Sequence, residues 1–87
     1  MYISEALVSL LENDLSWVKT LNTSFDGMLV KHHLDQLLAH EPEKVVVDKA
    51  IQALKMYRHD GRQCFSNEDR PELVILLEEI LELIKNK

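Results

Sequence analysis

Between Leu73 and Ile84 the chain places Leu73, Leu76, Leu77, Ile80, Leu81, Leu83 and Ile84 on one helical surface, an apolar arc covering about half the circumference at 3.6 residues per turn. A helix leaning on one neighbour needs a narrower stripe, so this segment must pack against at least two others. Three further segments supply them. Ile3, Leu7, Leu10, Leu11, Leu15, Val18 and Leu21 share one side of a first helix with Trp17 at the margin, and Val30, Leu34, Leu37 and Leu38 stripe a second. Val46, Val47, Ala50, Ala53, Leu54 and Tyr57 make the buried face of a third, in whose first turn Pro42 is expected because its missing N–H is no loss there. Gly61 is the expected left-handed stop after it. The reading is an all-α, single-domain antiparallel four-helix bundle over residues 1–87, with helices near 3 to 21, 28 to 39, 43 to 59 and 69 to 85 and no strand of any strength.

Two local features resist a simple reading. The last helix has rival starts: Ser66 with Asp69 resembles a capping box but leaves Pro71 five residues in, whereas Asp69 with Glu72 puts Pro71 inside the first turn and is favoured. Asp14 lands on the apolar face of the first helix among Leu7, Leu10, Val18 and Leu21, where an unpaired carboxylate is costly. It either caps a break near Asn13 or meets a cationic partner from another helix. The low helix propensity of Glu12-Asn13-Asp14-Leu15-Ser16 favours the break.

A chain of 87 residues has room for one domain with a thin core. Its net charge of −5 opposes nucleic acid or an anionic membrane as main partner, because both reward clustered Lys and Arg. A lone Cys64 allows no internal disulfide, and Met1-Tyr2-Ile3-Ser4-Glu5 lacks the basic start of a secretion signal, so cytoplasmic residence is expected. No apolar run approaches the roughly 20 residues that span a bilayer, which leaves at most a peripheral membrane contact.

Chemistry-bearing residues are present without chemistry-bearing spacing. His32 and His33 point about 100° apart on a helix, and His33 and His40 lie two turns apart, too far to share an ion, so boundary or solvated histidines are expected and a metal site is not. Cys64 has Arg62 nearby but no local His-Asp set. No Gly-rich phosphate loop or paired-carboxylate motif occurs, and neither catalysis nor a cofactor is expected.

Features suited to binding are more numerous. Ile75 falls on the polar side of the fourth helix near Glu79 and Glu82, while Val45 and Met56 lie opposite the buried face of the third. Lys55, Arg58, His59 and Arg62 form the only local basic cluster in an acidic chain, either complementing a helix C-terminus or attaching to acidic loops or anionic lipid beneath a membrane. The working surface is therefore expected at Met56, Arg58, His59, Arg62 and Ile75, with the first two helices offering core positions and solvated acids.

The third helix at Val47-Asp48-Lys49-Ala50-Ile51-Gln52-Ala53-Leu54-Lys55, the basic turn at Arg62, the Phe65-Ser66 pair, the acidic start of the last helix and its Leu/Ile run to Ile80 together resemble the enterocin A type of immunity protein. The likeness is one of pattern over Val45 to Leu83. It implies an antiparallel helical bundle that protects producers of pediocin-like (class IIa) bacteriocins, acting from the cytoplasm on the mannose phosphotransferase permease with its bound bacteriocin. The alternative is a small acidic adaptor or antitoxin-like inhibitor that masks one protein target.

Overall fold

The computed structural model describes residues 4–20, 25–26, 28–58, 64–65 and 68–85, and gives the backbone alone at 25, 26, 58, 64 and 65. Four helices run Glu5–Thr20 (α1), Met28–Ala39 (α2), Lys44–Leu54 (α3) and Arg70–Lys85 (α4). Neighbours are antiparallel in an up-down-up-down ring, so α4 packs on both α3 and α1, as its wide apolar arc requires. Ion pairs display the register: Glu12–Lys85 and Lys19–Glu78, both at 2.9 Å, join α1 to α4 with numbers that rise on one helix and fall on the other. Lys49–Glu79 at 3.1 Å ties α3 to α4.

One core runs through all four helices. Leu11, Leu34, Leu37, Leu73, Leu77 and Ile80 are its largest fully buried side chains, and Ala50 and Ala53 let the backbone of α3 come close. Leu10, expected inside, is 39 % exposed. The expected α2 agrees to the residue, and α1 is one or two residues shorter at each end than expected. Ser4 accounts for its start: the carbonyl accepts the first helical bond from Val8 N–H at 3.1 Å, and the hydroxyl oxygen accepts from Leu7 N–H at 3.2 Å.

The third helix departs most from expectation. It ends at Leu54, five residues before 59. Lys55 N–H still bonds the Ile51 carbonyl, but Met56 N–H reaches back only to Ala53, a tightened last turn that releases the chain into a strand. Pro42 also sits before the helix: Glu43 is the N-cap, its carbonyl accepting from Val46 and Val47, and Lys44 is the first helical residue. Gly61 lies outside the described residues.

No strand was expected, yet three two-residue strands pair: Phe25–Asp26 (β1), Tyr57–Arg58 (β2) and Cys64–Phe65 (β3), in the order β1-β3-β2 and antiparallel throughout. In the backbone register Phe65 is paired with both Phe25 and Tyr57, and Cys64 with both Asp26 and Arg58. The clasp joins the α1–α2 connection to the α3–α4 connection, which the up-down topology brings to one end of the bundle. Strands this short carry no periodicity that a sequence window can detect. The helices still hold the core, so the class is all-α.

At the start of α4 the Asp69 carbonyl accepts from Leu73 N–H at 2.9 Å, which makes Asp69 the cap and places Pro71 in the first turn, the favoured alternative. The α2–α3 turn is less relaxed. Glu41 has a φ of 51°, the left-handed region that costs a residue with a Cβ roughly 1–2 kcal/mol and costs Gly almost nothing. After allowing for the extra freedom Gly gives the unfolded chain, Glu41→Gly is expected to raise stability by about 0.5–1 kcal/mol. Urea unfolding checks this, and a loss of stability would mean that Glu41 is held by contacts worth more than the strain.

Candidate functional site

The structure divides the expected working surface. Ile75 stands 53 % exposed at the centre of the outer face of α4, as expected. Met56 does not lie opposite the buried face: it is partly buried against the core, because α3 has already ended and the chain there turns inward toward Tyr57. Arg58 is in β2, with its backbone paired to Cys64. His59 and Arg62 lie outside the described residues. Val45 is exposed as expected, but it stands at the opposite end of the bundle from Ile75, so the two form no common patch.

The α1–α4 seam holds an open groove of about 580 Å³. Leu15 and Leu81 form its floor, Ser16 and Glu82 line it, and the Glu12–Lys85 and Lys19–Glu78 pairs cross it like bars. Four of its five charged groups are thus engaged with each other, and the groove presents no converging acid-base or nucleophilic set. Among the described residues no three metal-ligating side chains come together.

Among the described residues, Asp14 and His33 are the buried polar ones. The expected break in α1 does not occur; the helix is continuous through Asn13 and Asp14, and the carboxylate instead meets His33 of α2, Oδ2 to Nδ1 at 2.5 Å. Tertiary pairing has overridden weak local propensity. Burial pushes the Asp14 carboxyl above its usual range, while the hydrogen bond and charge of His33 pull it back in part. With Asp14 ionised, His33 Nδ1–H donates to it; with Asp14 protonated, Oδ2–H donates to a bare Nδ1. The neighbouring His32 ring is tilted at 51° with its centroid 6.0 Å away.

Sequence reading missed the face above this pair. Leu10 and Trp17 flank Asp14 on α1 at four residues before and three after; Leu29 and Gln36 flank His33 on α2 at the same offsets, so all four border the α1–α2 seam. Leu10, Trp17 and Leu29 are 39 %, 47 % and 51 % exposed. The first two helices were expected to present solvated acids, but their charges are turned elsewhere. Glu12 and Lys19 bridge to α4 with Glu5 two turns before Glu12 on the same line, and Lys31 and Asp35 pair with each other on the side of α2 away from His33. Between Ala6 and Trp17 on α1 and between Met28 and His40 on α2, the exposed side of the seam bears no Asp, Glu, Lys or Arg. The signal was available in the seven-residue spacing of Glu5, Glu12 and Lys19, which puts the charges of α1 on one line and leaves Leu10 and Trp17 on another.

No helix among the described residues is long and apolar enough to cross a membrane. No family model, curated protein or solved structure matches the chain.

Proposed function

We propose that the chain is an immunity-type binding protein, which protects a cell from a pediocin-like bacteriocin by engaging the receptor and pore complex from the cytoplasmic side. The observation that carries this reading is architectural: the antiparallel bundle is the fold that the resemblance over Val45 to Leu83 implies, with α3 and α4 packed as its paired half. The partner is a mannose phosphotransferase permease with bound bacteriocin, met through Arg58, His59, Arg62 and Ile75, with Met56 drawn in against the core behind them. Pairing of the Arg58 backbone with Cys64 supports this, because it fixes the main chain of that residue to the bundle before docking.

Expression in a bacteriocin-sensitive strain tests the proposal. The parent chain is expected to protect, and Arg58→Glu with Arg62→Glu to abolish protection while leaving the melting temperature nearly unchanged. Full protection by the variant would remove the basic segment from the mechanism. The second reading is an acidic adaptor or antitoxin-like inhibitor, favoured by Glu72 and Glu82 on the exposed side of α4 that carries Ile75, which suits a basic target. Rescue from an intracellular toxin, with none from added bacteriocin, would select it.

A further inference from the structure

We propose that the uncharged α1–α2 face is the docking surface for a second copy of this chain, forming a two-fold dimer. In a chain where 29 % of residues are charged, an exposed two-helix seam without one is a departure that solvation alone does not reward. Trp17, the only tryptophan, and Leu10 lie on one line of α1, with Leu29 across the seam. Charge depletion around an aromatic anchor is the composition of an interface centre.

The occupant follows from charge and size. Among the described residues this face offers a charged partner no Asp, Glu, Lys or Arg to pair with, its only titratable exposed groups being the imidazoles of His32 and His40. An interfacial membrane helix needs Lys or Arg bordering its apolar side, and the nearest cations, Lys19 and Lys31, are turned away into ion pairs. Two copies of a chain with net charge −5 repel through every face that carries acid, and least through the one that carries none. The molecule measures 35 × 22 × 19 Å, so one long side offers on the order of 700 Å², close to the ~800 Å² per partner of an ordinary specific interface. The apolar pair also suits two-fold symmetry. Asp14 lies midway between Leu10 and Trp17, and an axis perpendicular to α1 at that level seats Trp17 of each copy beside Leu10 of the other.

The test is the mass of the full chain in solution between about 1 µM and 1 mM, with Trp17 fluorescence read on the same samples. A dimer is expected to double the mass and shift the emission to shorter wavelength as concentration rises. Leu29→Glu places a carboxylate from each copy in the seam and is expected to raise the dissociation constant at least ~100-fold. Ile75→Glu, on the far side of the bundle, should leave it unchanged. If Leu29→Glu lost its helical circular dichroism, Leu10→Lys gives the same reading from the other helix. A single-chain mass at every concentration would overturn the proposal. So would a dimer unaffected by both seam variants, or an emission shift seen only with phosphatidylglycerol vesicles.

Discussion

Replacing His33 by Leu is expected to cost about 3 kcal/mol at neutral pH, the order found when a buried carboxylate is left without the side chain that satisfied it. The cause is Asp14. Asp14 is 5 % exposed, and His33 is the side chain that holds its carboxylate. Replacing both residues by Leu is expected to restore the parent stability or exceed it by roughly 1 kcal/mol, since an apolar pair carries no desolvation cost. Urea unfolding of the four proteins closes the cycle. If the single and double variants were equally unstable, the loss would come from packing and not from the orphaned charge.

The same variant has a pH signature whose sign follows from the two influences on Asp14. Burial raises its pKa above 3.8 and His33 lowers it, so in His33→Leu burial acts unopposed and the folded value climbs further. A carboxyl raised on folding binds its proton better in the native state. Its contribution is fully present below the unfolded value of 3.8 and is lost as pH rises through the folded value. The deficit of His33→Leu relative to the parent should therefore shrink on acidification and widen toward neutrality. A deficit independent of pH would remove Asp14 from the explanation.

Leu77→Ala is expected to cost about 3 kcal/mol, within the 2–5 kcal/mol typical of a fully buried leucine, because the cavity left between α4 and its neighbours cannot collapse against a ring of helices. Ile75→Ala, two residues earlier on the same helix, should change stability by less than about 0.5 kcal/mol. Its side chain faces solvent at the centre of the outer surface. Thermal or urea unfolding of the pair checks both, and equal losses would mean that the outer face of α4 is covered in solution.

What the chain determined by itself is whatever depends on periodicity and local capping. The span of α2, the wide arc of α4, and the choice of Asp69 over Ser66 as its cap all follow from positions within a turn or two of each other. Pro71 settled that last choice, because only one start leaves its missing N–H without cost. Compactness and the antiparallel order follow as well, from apolar stripes joined by short connections.

Only the tertiary structure decided how distant residues meet. Asp14 and His33 are 19 positions apart, and nothing local to either says that the other lies opposite; the weak propensity around Asn13 pointed to a break that the pairing removes. The clasp joins residues 25, 57 and 65, three positions brought together by the up-down topology, and the hydrogen bonds it offers draw the chain out of α3 five residues early. Met56 moved from the expected surface to the edge of the core for that reason. The charge-free seam lies between these cases. Each helix carried half of it in its spacing, but two half-faces become one surface only when α1 and α2 lie side by side, and a one-helix pattern contains no information about its neighbour.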